Sequence, residues 1–139
     1  MYKRQLRDEH CGLLEANFSS LLFNLCCYVR DHGDELADEI ERGALGARAR
    51  AALGGDSAAA EIAALDAALG APDPARAAAV RAALRGGECG LLLRLWPRLQ
   101  LLLCSSTGAF EPYWRRLDAG FARGAVSYTH LTLPTIHLV

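Results

Sequence analysis

The stretch whose residue types best suit chemistry is Ser105-Ser106-Thr107-Gly108, which closes the uncharged run LQLLLCSS, Leu99 to Ser106. Three hydroxyls beside a glycine offer donors and acceptors, and a small-residue turn lets backbone groups approach a ligand closely. A turn that merely closes a strand would look the same. No GxGxxG, Walker, HExxH or GxSxG pattern occurs, so phosphate-loop, zinc-protease and serine-hydrolase chemistry have no sequence support. Arg7–Asp8 and His10–Cys11 stand alone and read as surface or core. Asp38 and Glu39 fall on a helix surface, and Trp96 and Trp114 read as core anchors. The five cysteines are odd in number and show no CxxC spacing. Cys26 and Cys27 are neighbours, which point in different directions on a helix. No disulfide framework, metal site or catalytic set is expected; buried free thiols in a reducing, cytoplasmic compartment fit better.

The elements that must position the turn follow from hydrophobic spacing. Arg7 to Arg30 predicts one amphipathic helix, with Leu14, Phe18, Leu21, Leu22, Leu25 and Val29 at three- and four-residue steps. Gly33 reads as its stop and Asp34 as the next cap. DELADEIERG predicts a second helix that buries Leu36 and Ile40, turns Glu35, Glu39 and Glu41 to water, and ends at Gly43. A short helix over ALGARARAAL closes at Gly54–Gly55, and a further one carries Ile62, Leu65 and Leu69. Asp73 as cap, Pro74 at the first position and Gly86–Gly87 at the end frame another helix. The helices between Ala44 and Leu84 have thin apolar faces and predict a surface layer. GLLLRLWPRL predicts a short helix or turn broken by Pro97. Leu99–Ser106 then reads as a buried strand, and AFEPYWRRLDAGFARG as a helix through Phe110, Tyr113, Trp114, Leu117 and Phe121. Strand, glycine turn and helix form the unit of an α/β sheet, so the fold class is α/β, mostly helical, with at least one buried strand. Ligands of such sheets gather at the carboxyl ends of strands, where this turn lies.

The two ends differ in composition from the rest. The single lysine is Lys3, and three of the four threonines and two of the four histidines follow Val126. VSYTHLTLPT, Val126 to Thr135, resembles the translated mosaic end of a transposase-based sequencing library, and Tyr2–Gln5 resembles the same sequence on the other strand. The expectation is therefore that residues 1–5 and 125–139 are library-derived and that 6–124 is an internal fragment, from a metagenomic or draft-genome source. Alternation of Tyr128, His130 and Thr132 with Leu131 and Leu133 would also suit a strand. Setting Lys3 and Arg4 aside, 15 basic residues fall to 13 against 16 acidic ones, a formal charge of −3. This is no nucleic-acid footprint, and no apolar run approaches a membrane span.

LWPRLQLLLCSSTGAFEPYWRRL resembles the auxin-responsive Gretchen Hagen three family of acyl-acid amido synthetases. Leu95, Trp96, Pro97, then Thr107, Gly108, Ala109 and Tyr113 carry the likeness. Upstream, Phe18, Ser19, Glu35, Leu36, Ile40 and Gly43 match a helix followed by Glu-Leu-x-x-Asp-Ile-x-x-Gly, and PDPARAA resembles an intervening Pro-x-Pro-x-x-Ala stretch. The resemblance implies a piece of the large N-terminal domain of an adenylate-forming enzyme. Such enzymes use ATP and magnesium to turn a small carboxylic acid into an acyl adenylate, which an amino acid then attacks. It implies that Ser106, Thr107, Gly108 and Ala109 border the nucleotide and acyl pocket, and that Phe18 and Leu22 wall the acyl pocket. The family's phosphate-binding loop and its Tyr-Gly-x-x-Glu and Tyr-x-x-Gly-Asp elements do not occur, so the fragment is expected to bind no cofactor and to be inactive, the parent active. A non-catalytic family member serving as an interaction module and an unrelated helical scaffold are the alternatives.

Overall fold

The computed structural model describes residues 2–125. The expectations for Val126 onward lie outside the described residues. Among the described residues, seven α-helices and two strands run in the order α1 (Tyr2–Arg7), β1 (Leu13–Phe18), α2 (Ser19–Arg42), α3 (Ala47–Ala52), α4 (Ala59–Leu69), α5 (Pro74–Arg85), α6 (Leu91–Leu95), β2 (Leu101–Ser105) and α7 (Glu111–Ala119). Short 3-10 turns cover Gly55–Ala58 and Gly108–Phe110.

The predicted helix over Arg7–Arg30 is corrected: a helix, a loop, a strand and the start of a second helix share that span. Leu14 and Phe18 have helical spacing, yet the backbone from Leu13 pairs in parallel with β2, Leu14 opposite Leu102 and Phe18 opposite Ser105, with a bulge between Glu15 and Phe18. Gly12 starts the pairing by accepting from the amides of Gln100 (2.9 Å) and Leu101 (3.2 Å). A partner 88 residues away, Leu102 for Leu14, decides the strand, which local spacing does not encode.

Gly33 is the second correction. It does not stop a helix; α2 runs unbroken for 24 residues. A Cβ at Gly33 would lie 2.4 Å from Leu84 Cδ1, so the glycine is a notch that receives the Leu84 side chain from α5. An internal glycine costs a helix about 1 kcal/mol relative to alanine, which such packing offsets. Gly43 does end α2, in the left-handed region at φ 65°, its N–H on the carbonyls of Glu39 and Ile40.

The core lies where α2 packs against α5, α7 and the sheet. Leu36, Ile40, Ala77, Val80, Leu95, Trp96, Leu102, Leu117 and Phe121 are all buried there. α5 therefore belongs to the main core and not to a surface layer, because its Ala77, Val80 and Ala83 stripe is small enough for close approach to α2. Its Asp73 cap accepts from the Arg76 amide at 2.9 Å, as the sequence implies. α3 and α4 do form a separate layer around Leu45, Ala58, Ile62 and Leu69. Asp66 ties that layer together, accepting from the Leu45 amide and the Arg50 guanidinium.

Other burial expectations change. Leu65 is exposed. Glu39 is not turned to water; it is buried, and its carboxylate accepts the Gly46 amide at 2.7 Å. β2 is shorter than expected and only Leu102 is fully buried, because two strands leave the other faces partly open. Trp96 is a fully buried anchor, whereas Trp114 is half-buried. Of the five cysteines only Cys26 is buried, and Cys89 is exposed.

Burial pushes the Cys26 thiol up to about 12 from an ordinary 9.0, with the neighbouring Cys27 and Glu88 adding to the shift. The folded state thus keeps a proton that the unfolded chain gives up. Stability from this group is complete below pH 9 and falls as pH rises toward 12. Urea unfolding from pH 9 upward is expected to lose up to about 1.4 kcal/mol per pH unit. Cys26→Ala should flatten that slope; an unchanged slope would remove Cys26 as its cause.

Candidate functional site

Two parallel strands end side by side, and each feeds a helix. At the end of β1, Phe18 leads directly into α2; at the end of β2, Ser105 leads through a turn into α7. The pairing of Phe18 with Ser105 sets these two exits level. All six residues singled out in the sequence therefore meet at one end of the sheet or on the first turn of α2.

The turn after β2 is held in three ways. Gly108 adopts φ +61°, a conformation that L side chains rarely take, and a Cβ there would meet nothing within 4 Å. Its glycine is needed for the bend, and the space beside it is open. The amide of Phe110 donates to the Thr107 carbonyl at 3.3 Å, closing the 3-10 turn. The Ser19 hydroxyl, on a side chain with no exposure, donates to the Phe110 carbonyl at 2.8 Å.

Aromatic rings complete the wall. Phe110 stacks on Phe18 with centroids 4.3 Å apart and planes 17° from parallel. Phe18 is 41% exposed, so this slab faces outward at the strand ends. Behind it Phe23 meets Tyr113 and Phe121, both at 5.9 Å, and carries the Arg116 guanidinium 4.8 Å from its ring centre.

Thr107, Gly108 and Ala109 are exposed at the rim, whereas Ser106 is buried. Leu22 is 4% exposed and packs within the core beneath the site. Sequence reasoning gave Ser19 and Phe110 no role at the site. The signal for Ser19 is its place directly after a strand, which the helical spacing of Leu14 and Phe18 conceals.

Small residues, an open glycine and a stacked aromatic pair fit the border of a pocket for a flat or apolar group. They do not fit a phosphate or magnesium site. Among the described residues no group of three His, Cys, Asp or Glu side chains could hold a metal ion. Two surface grooves, one lined by Arg30, Asp31, His32, Arg81 and Arg85 and the other by Arg7, His10, Asp73 and Arg76, contain none of the site residues. No described helix is long and apolar enough to cross a membrane.

The model of the GH3 family N-terminal domain matches residues 5–124. No curated protein sequence matches the chain. Among solved structures, the GH3.15 acyl acid amido synthetase is similar with a TM-score of 0.71 and 22% identity, covering 92% of this chain and 23% of its own. AtGH3.15 acyl acid amido synthetase in complex with 2,4-DB is similar with a TM-score of 0.70 and 21% identity, covering 92% of this chain and 22% of its own. The chain thus spans under a quarter of the length of these two structures.

Proposed function

The chain belongs to the GH3 family, and from that premise we propose that it is the part of an ATP-dependent acyl-acid amido synthetase that borders the acyl side of the active site. The observation that carries this reading is the meeting of Phe18 with the Ser106–Phe110 turn at the carboxyl ends of two parallel strands. Ligands of open α/β folds bind outside those ends.

In such a reaction ATP and magnesium supply the chemistry of carboxylate activation: adenylation gives the acid AMP as a leaving group, and an amino acid nitrogen displaces it. The residues present would contribute position and shape. The Phe18–Phe110 slab would exclude water from the acid's apolar part, and the Thr107–Ala109 rim would let the reacting carboxylate come close to backbone. Nothing at the turn itself neutralises phosphate, so that work is assigned to segments beyond the turn. The parent protein is proposed to bind a small carboxylic acid and an amino acid, and to do so in the cytoplasm.

ATP–pyrophosphate exchange in the presence of a panel of aromatic and aliphatic acids tests this. A protein extended to the length of the solved synthetases is expected to catalyse acid-dependent exchange, while the 139-residue chain gives only background. Exchange by the chain alone would refute the division of labour. No acid-dependent exchange by the extended protein would refute the synthetase reading.

A further inference from the structure

We propose that Ser19 is a positioning residue, whose buried hydroxyl fixes the Thr107–Phe110 turn to the mouth of β1 and so sets the shape of the acyl side of the pocket. This rests on the function proposed above.

The hydroxyl is used in an unusual way. A serine at a helix start ordinarily caps its own helix, accepting from an amide two or three residues on. Here the residue preceding the helix is Phe18, which has no capping group, and no side chain caps α2. Ser19 instead donates across 91 positions of sequence to the Phe110 carbonyl. It forgoes local stabilisation of its helix for a bond to the other strand's exit.

The bond sits where it has leverage. The Phe110 carbonyl belongs to the residue that ends the 3-10 turn, and the Phe110 ring rests on Phe18, the neighbour of Ser19. Hydrogen bond and ring stack together join two consecutive residues of one exit to a single residue of the other. Gly108, two residues earlier, meets no atom within 4 Å on its Cβ side, so the turn has no packing of its own there. With the hydroxyl gone, the turn would lose its side-chain bond to α2 and keep the ring stack and the weak 3-10 bonds. The Ser19 side chain is fully buried, so water cannot readily replace the lost donor.

The test compares local with global opening. Amide hydrogen exchange is measured in the 139-residue chain and in S19A and S19T. The reporters are Phe110 and Glu111, whose amides donate to Thr107 and Gly108; Val80, buried in α5, reports global unfolding. In S19A the two turn amides are expected to exchange about tenfold faster, the equivalent of one net hydrogen bond, with Val80 changed less than about twofold. S19T, which keeps a hydroxyl, should restore slow exchange. Equal acceleration at all three amides, no change at the turn, or loss of the folded state in S19A would each overturn the proposal, since Ser19 would then serve the fold at large or nothing. In the extended synthetase, S19A should raise KM for the acid by about tenfold and leave KM for ATP within about twofold; equal rises would overturn it. Absence of turnover in the unsubstituted protein would count against the proposed function, and the exchange result on the chain would still decide the role of Ser19.

Discussion

Replacing Trp96 with alanine is expected to remove about 3–5 kcal/mol of stability, a large share of the roughly 5–15 kcal/mol that a domain typically has. The side chain has no exposure and is the largest fully buried one among the described residues. Its loss leaves a cavity in the main core, at the end of α6 and beside α1. It also removes a specific bond: the indole N–H donates to the Gln5 carbonyl at 3.0 Å. That carbonyl is one of the last four in α1, which have no partner within a helix. W96F keeps most of the volume and loses the donor, so it should cost about 1–2 kcal/mol from the bond plus a smaller packing term. Urea denaturation followed by far-ultraviolet circular dichroism checks both. A W96A midpoint close to the native one would mean that the site collapses freely around the missing ring.

The second large effect is expected at Arg76. Its guanidinium is buried in the main body of the fold and donates to the carbonyls of Leu6 (2.7 Å) and Leu95 (2.8 Å). Burial lowers its pKa, while Glu9, Asp73 and Asp8 act in the other direction. Arginine remains charged even so. The side chain therefore joins three helices: it starts on α5, reaches the end of α1 and meets the end of α6. Arg76→Ala should cost on the order of 3 kcal/mol, because two buried acceptors lose their donor at once. Arg76→Lys can reach one acceptor and should recover part of the loss; full recovery would show that only charge matters there. Trp96 and Arg76 serve adjacent carbonyls, Gln5 and Leu6, so the double substitution should cost less than the two single ones added together.

These two residues show how unevenly the sequence revealed the fold. Asp73, Pro74 and Gly86 mark α5 correctly because cap, first turn and stop are local chemistry. Gly43 is legible for the same reason. The buried Trp96 is legible from size and apolar surroundings. What Trp96 and Arg76 bond to is not, since Gln5, Leu6 and Leu95 offer only backbone carbonyls, which every residue has. β1 was hidden because LLEANF carries helical spacing and gains its strand identity only from β2. Gly33 is ambiguous in sequence because a glycine that ends a helix and one that admits a neighbour's side chain are the same letter. At the site, the turn Ser106–Ala109 and Phe18 were visible through residue type and family likeness, and the structure brings them together. The bond from Ser19 was not visible, since it depends on two chain exits lying level.

Gly33 also has a consequence for alignment along the helix axis. Leu84 sits in the one place on that face of α2 where a Cβ is missing. Sliding α5 by a single turn in either direction would bring Leu84 against the position of Val29 or Ala37, both fully occupied core residues. The notch therefore works as a detent: α5 has one stop along α2 and no neighbouring one to slip into. α2 begins at the strand exits and α5 carries Arg76, so this one vacancy keeps the reach from the clamp at α1 to the strand exits constant.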